Sequence, residues 1–148
     1  MEKPSNKNDL CGIISVIHRK TQIYLNQELK KYGLNSAEFV YLIRIKDTQA
    51  TSLKTLGAHL RMDDAQTTRV IRSLEEKNLV SKIRSQEDKR AFDIELTPLG
   101  KELKPKIIED RNEWIRLITL GMESTQVEAF IKNLSLVAQN AMELTEGK

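Results

Sequence analysis

Between Leu79 and Gly100 the chain reads LVSKIRSQEDKRAFDIELTPLG, and this stretch restricts the possible folds more than any other. Phe92, Ile94 and Leu96 alternate with Asp93 and Glu95, which is the period of two expected for a half-buried strand. Val80 to Arg84 supplies its hairpin partner, and the turn joining them contains Asp88, Lys89 and Arg90. The rest of the chain has helical periodicity, so the hairpin must be accommodated within a mainly helical fold.

Immediately upstream, Asp63 is placed to cap a helix running from about Asp64 to Lys77, with Gln66 at the reciprocal capping position. At 100° per residue, Thr67, Val70, Ile71 and Leu74 share one face, while Ala65, Thr68, Arg69, Arg72 and Glu76 lie opposite. One face packs and the other is left to read. Asn78 supplies a left-handed C-terminus. A shorter helix precedes this one, opening at Thr51 or Ser52 and gathering Leu53, Leu56, Gly57 and Leu60, and the turn Arg61-Met62-Asp63 completes a helix-turn-helix.

Nearer the start, after the polar segment MEKPSNKND, Leu10, Ile13, Ile14, Ile17, Thr21, Tyr24 and Leu29 recur at helical spacing for about five turns, and Tyr32-Gly33 ends the run. Asn35 and Glu38 form a capping-box signature for a second helix containing Phe39, Leu42 and Ile43, expected to stop near Thr48. After the hairpin, Thr97-Pro98 opens a long helix through Leu103, Ile107, Trp114 and Ile118, with Pro105 expected to kink or interrupt it. Beyond Gly121, Val127, Phe130, Ile131, Leu134, Val137, Ala138 and Ala141 define a last amphipathic helix. The compact central module cannot cover all these terminal apolar faces. A symmetric dimer would bury the remainder and present two recognition helices to half-sites about 10 base pairs apart.

Within such a module, Gln66, Thr68, Arg69 and Arg72 have the chemistry for base-edge and phosphate contacts in a major groove. Arg84, Lys89 and Arg90 on the hairpin suit the negative potential of the adjacent minor groove. Asp88, two residues before Arg90, is placed to accept hydrogen bonds from its guanidinium and fix its direction. A formal charge of +3 and a pI near 9.0 permit such binding without demanding it. At 148 residues, with 39% hydrophobic and 30% charged positions, the chain can bury a real core as one domain. No apolar run approaches a membrane span and no apolar region of a leader follows the polar start, so a cytoplasmic location is expected. The single cysteine, Cys11, rules out an intrachain disulfide. His18 and His59 stand on different helices without clustered partners, so no metal site is expected, and no catalytic motif or cofactor-binding loop is present.

The order helix, helix, helix-turn-helix, wing and two long helices resembles the MarR family of bacterial transcription regulators over essentially the whole chain. The wing is the most specific match: Asp88-x-Arg90 followed by Ile94, Leu96-Thr97 and Gly100 is similar to that family's DxR motif and the LTxxG after it. Arg69 matches a recognition-helix arginine of some members, and Leu74 to Val80 resembles the segment LExKGLI/V, with Asn78 where the family usually has glycine. Gly57 departs from the more usual alanine, a change that loosens the helix by up to about 1 kcal/mol.

The resemblance implies a mainly α fold with a small β-hairpin wing, a winged helix-turn-helix flanked by N- and C-terminal dimerisation helices. It further implies a single domain over residues 1–148, with the core at about 36–100 and dimerisation helices at about 9–32 and 98–145. The implied protein is a homodimer that binds double-stranded DNA at a pseudo-palindromic operator, a repressor released by a small aromatic or amphipathic effector. Ile17, Tyr24, Tyr41 and Ile45 are candidates to line an effector pocket, with ordinary core as the competing reading. Cys11 falls where the hydroperoxide-sensing branch carries its reactive thiol, but Ser15 and Leu25 stand where that branch has tyrosines, which favours an unreactive thiol. Two alternatives to a ligand-released repressor stay open: a winged-helix module that binds another protein, and a thiol-based redox regulator.

Overall fold

The structure, a computed structural model, describes residues 9–146, and the polar segment at residues 1–8 lies outside the described residues. Helix α1 spans Leu10–Leu29 and tightens into a 3-10 turn, Lys30–Tyr32, that ends at Gly33 with φ +70°. There follow α2 (Ser36–Leu42), a two-residue strand β1 (Thr51–Ser52), α3 (Leu53–His59), α4 (Asp64–Glu76), β2 (Val80–Arg84), β3 (Phe92–Leu96), α5 (Pro98–Ile118) and α6 (Ser124–Glu146). The helical boundaries follow from local chemistry. Asn35 and Glu38 form a complete capping box, while Ser52 Oγ, Asp63 Oδ1 and Thr97 Oγ1 accept the N–H of Thr55, Gln66 and Gly100 at the starts of α3, α4 and α5. At the other end of α4, Asn78 turns left-handed at φ +59° and Leu79 N–H reaches back to the Leu74 carbonyl at 3.0 Å.

The sheet has three antiparallel strands in the order β1, β3, β2. Val80 pairs with Leu96 and Arg84 with Phe92, as the alternation requires, and this register puts Ile94 and Leu96 into the core. Strand β1 adds to the expected hairpin. Thr51 pairs with Ile94 and Ser52 with Asp93, a pairing too short to leave a pattern in the sequence.

Two other expectations are corrected. Helix α2 ends at Leu42 instead of near Thr48. The chain leaves the helix there so that Ile45 can enter the core, and the Lys104 ammonium takes the Ile45 carbonyl at 2.7 Å and Asp47 Oδ1 at 2.9 Å. Pro105 does not interrupt α5, which runs unbroken from Pro98 to Ile118. The hydrogen bond that Pro105 cannot make would have used the Lys101 carbonyl, and both residues lie on the exposed side of the helix. Lys104 and fully buried Ile107 pin the helix on either side of the proline.

The described chain divides into two compact units at Asn112 and Glu113, within α5. In the first, Leu25, Leu29, Phe39, Leu42, Ile45, Leu56, Ile71, Leu74, Ile94 and Ile107 form one buried cluster. An ion pair between Lys31 and Asp110, 3.2 Å apart, ties the end of α1 to α5, and the Asp110 carboxylate holds the Lys31 ammonium above the ordinary lysine value. The second unit contains α6, on which no residue is buried: Phe130, Ile131, Leu134, Leu136 and Val137 are all exposed in the single chain. On α1, Leu10, Ile14, Ile17 and Ile23 are exposed in the same way. No helix among the described residues is long and apolar enough to cross a membrane.

Candidate nucleic-acid interface

Helix α4 buries Thr67, Ile71 and Leu74 against the core and leaves Ala65, Arg69, Arg72 and Glu76 exposed, with Gln66 and Thr68 half-buried at the boundary. The packed face is held by polar as well as apolar contacts. Tyr41, fully buried on α2, shares a hydrogen bond of 3.1 Å with Thr67 Oγ1. Gly57 on α3 leaves room for this bond, since a Cβ there would stand 2.9 Å from the Thr67 hydroxyl. A residue that looks like a weak point in α3 is the clearance that lets α4 approach.

The wing tip is ordered by its own hydrogen bonds. Ser85 N–H donates to the Ala91 carbonyl at 3.1 Å and Ala91 N–H to the Asp88 carbonyl at 2.9 Å, while Ser85 Oγ accepts the N–H of Glu87 and Asp88 at 3.3 and 3.4 Å. Asp88 Oδ1 accepts the backbone N–H of Arg90 at 2.9 Å. The expected role of Asp88 is therefore corrected: its hydrogen bond shapes the main chain of the turn instead of orienting the guanidinium. Arg84 is also engaged locally. Its guanidinium donates to the Lys89 carbonyl and lies 5.3 Å from the centroid of the Phe92 ring, which also carries the Lys82 ammonium at 4.7 Å. Arg84 thus braces the tip, and Lys89 and Arg90 project from it exposed.

A cleft of about 310 Å³ joins the two elements. Its walls include Asp64, Thr67 and Thr68 from α4, Arg90, Ala91 and Phe92 from the wing, and Ser52, Leu53 and Lys54 from the start of α3. Arg90 and the N-terminal half of α4 therefore face a common space, although 22 positions separate Thr68 from Arg90 in the chain. Lys54, exposed at this rim, and Lys82 are not singled out by the sequence, where α3 reads only as a support and Lys82 as one residue of an edge strand. Asp64 is the acidic exception in the cleft, placed in the first turn of α4 where the helix dipole favours it.

The other candidate residues are dispersed. Tyr41 and Ile45 are fully buried in the core, Tyr24 is half-buried against it, and Ile17 is exposed on α1; none of the four lines the cleft at the wing. Cys11 is exposed in the first turn of α1.

Comparison with known proteins gives a consistent result. The model of the MarR family matches residues 34–92, from the capping box of α2 to the start of β3. The HTH-type transcriptional regulator BilQ of Clostridioides difficile is 30% identical over 128 residues, covering 86% of both chains. The HTH-type transcriptional regulator SarZ of Staphylococcus epidermidis is 27% identical over 117 residues and 79% of both chains. Among solved structures, a MarR transcriptional regulator from Methanosarcina mazei superposes with a TM-score of 0.85 at 26% identity, covering 94% of this chain and 100% of its own. A putative MarR family regulator from Listeria monocytogenes, solved in complex with a 26-mer DNA, gives 0.83 at 26% identity, with 90% and 89% covered.

Proposed function

The chain belongs to the MarR family of helix-turn-helix transcriptional regulators, and we propose that it works as a homodimeric, sequence-specific DNA-binding repressor released by a small-molecule effector. The observation that carries the DNA-binding reading is the shared cleft: Thr68 on α4 and Arg90 on the wing face one space, with Lys54 at its rim. In this reading α4 lies in a major groove, where Gln66, Thr68, Arg69 and Arg72 meet bases and phosphates, and Lys89 and Arg90 reach into the neighbouring minor groove. Arg84 and Asp88 hold the wing in the required shape. The Listeria relative was solved in complex with a 26-mer DNA, which supports the DNA-binding reading.

Dimerisation follows from the apolar faces left open in the single chain. Leu10, Ile14 and Ile17 on α1 and Phe130, Ile131 and Leu134 on α6 form stripes of the kind that mark association surfaces. A two-fold axis through such a dimer matches a pseudo-palindromic operator, and occupancy of a promoter by the dimer blocks transcription. An effector of small aromatic or amphipathic character releases DNA by binding more tightly to dimers whose recognition helices are wrongly spaced, since only differential affinity shifts such an equilibrium.

The test is duplex binding measured by fluorescence anisotropy across salt concentrations, with a site selected from random duplexes. Affinity is expected to fall as salt rises, and Arg90→Ala is expected to reduce the log–log slope by about 0.9 for each phosphate left without its cation. Arg69→Ala is expected to weaken binding to the selected duplex. If both variants bind like the wild type, this surface is not the interface.

A further inference from the structure

We propose that Glu38 and Tyr41 are positioning residues that set the rotation of α4 about its own axis, and through it which side chains reach the bases. The inference rests on the DNA-binding reading above and concerns how that reading achieves selectivity.

Glu38 is 2% exposed, yet it carries a carboxylate. Its side chain closes the capping box by accepting Asn35 N–H at 3.2 Å, and it also reaches across to α4. There Oε2 accepts the Ser73 hydroxyl at 2.9 Å, and the Lys77 ammonium donates to Oε1 at 2.7 Å and to Oε2 at 2.6 Å. One helical turn further along α2, the Tyr41 hydroxyl meets Thr67 Oγ1 at 3.1 Å in the buried interface. Two residues of α2 therefore grip α4 near both of its ends: Thr67 is in its first turn and a half, Ser73 is in its last turn, and Lys77 is its C-terminal cap.

The apolar seam between these helices, including Ile71 and Leu74, rewards burial whatever the exact rotation. Hydrogen bonds and ion pairs are directional, so two of them at separate points on one helix admit a single azimuth. That azimuth decides what is exposed. Ser73 adjoins Arg72, and Thr67 adjoins Thr68 and Gln66, so a turn of α4 that broke the polar contacts would also swing these reading residues across the groove. Phosphate contacts made by the wing and the long arginines tolerate such a swing better than bidentate base contacts do.

The experiment compares affinity for the selected duplex with affinity for a scrambled duplex of the same length and salt, using the full chain. Tyr41→Phe removes only the hydroxyl. Glu38→Gln with Lys77→Met replaces the ion pair by groups of similar size without leaving a lone buried charge. Both are expected to stay folded by circular dichroism, to keep scrambled-duplex affinity within about twofold, and to lose about tenfold in the ratio of the two affinities, the equivalent of one good base contact weakened. Ile71→Val thins the same packing without touching a polar contact, and is expected to lower the melting temperature while leaving the ratio intact. An unchanged ratio in Tyr41→Phe and in the double variant, or an equal loss in Ile71→Val, overturns the positioning role. Wild-type protein that shows no preference for any duplex overturns the DNA-binding reading itself, a result visible before any variant is made.

Discussion

Gly100 is the third residue of α5, and a methyl group there has nowhere to go. A Cβ built on its backbone falls 2.1 Å from the Leu79 carbonyl oxygen, 3.2 Å from the carbonyl carbon and 3.3 Å from Leu96 Cδ2. Unbonded heavy atoms normally approach to about 3.5 Å, so Gly100→Ala requires main chain to move by more than about 1 Å. That same carbonyl accepts Thr97 N–H at 3.1 Å, and the Thr97 hydroxyl donates to the Asn78 carbonyl at 2.7 Å while accepting Gly100 N–H. Parting the two segments strains the junction where α4, the wing and α5 meet. Overpacking costs about 1–3 kcal/mol and a broken hydrogen bond about 1, against a gain of about 1 from alanine's better helix propensity. The net expectation is a loss of about 2 kcal/mol. Urea unfolding followed by circular dichroism, with wild type and variant at one fixed protein concentration, should show the midpoint falling by about 1 M. A midpoint equal to or above the wild type would refute the close approach as the reason for glycine at this position.

Three further outcomes are expected. Gly57→Ala should fail to gain the ~1 kcal/mol that helix propensity alone offers, because its Cβ would crowd the Thr67 hydroxyl bonded to Tyr41; a full gain in urea unfolding would show that this hydroxyl yields freely. Asp88→Asn keeps an oxygen for the Arg90 backbone N–H and removes a negative charge that, in the proposed DNA-bound arrangement, would be repelled by the DNA backbone, so it should bind duplex at least as tightly as the wild type, whereas Asp88→Ala should bind more weakly; equal weakening in both would restore a direct role for the carboxylate charge. The Lys31 ammonium is held above its ordinary value of 10.5, so whatever the pair with Asp110 contributes is fully present below that value and fades only as pH rises beyond it; the stability difference between wild type and Lys31→Met should be the same at pH 7 and pH 9, and a difference that shrinks within that window would contradict the assignment.

Much of the fold is legible in the sequence because its boundaries are set by neighbours in the chain. The capping box at Asn35 and Glu38, the N-caps at Asp63 and Thr97, and the left-handed Asn78 all act within a few residues, and the period-2 run at Phe92 to Leu96 states its own register. What stays hidden depends on partners far along the chain. The segment after α2 is held by Lys104, 59 positions beyond the Ile45 carbonyl it binds, and β1 is defined by its pairing with β3. Pro105 should disturb α5 on local grounds, but Lys104 and Ile107 anchor the helix through tertiary contacts.

The candidate interface divides in the same way. Exposure of Arg69 and Arg72 on α4 and of Lys89 and Arg90 on the wing follows from periodicity and turn chemistry, whereas the roles of Asp88 and Arg84 do not. A carboxylate two residues before an arginine can serve either the guanidinium or the backbone, and spacing alone does not choose. In the folded turn both residues hold main chain, Asp88 through the Arg90 N–H and Arg84 through the Lys89 carbonyl, while Phe92 backs Arg84 from the strand. The wing is thus a braced tip that presents Lys89 and Arg90 and keeps Arg84 for its own support, and its aim is set by backbone geometry. Helix α4 is fixed by a comparable division of labour, with buried Glu38 and Tyr41 holding one side and the arginines exposed on the other. Charge at this surface is therefore separable into groups that shape it and groups that present it, and salt dependence should track only the second: Arg90→Ala should lower the slope, whereas the neutral pair Glu38→Gln with Lys77→Met should leave it unchanged while selectivity falls.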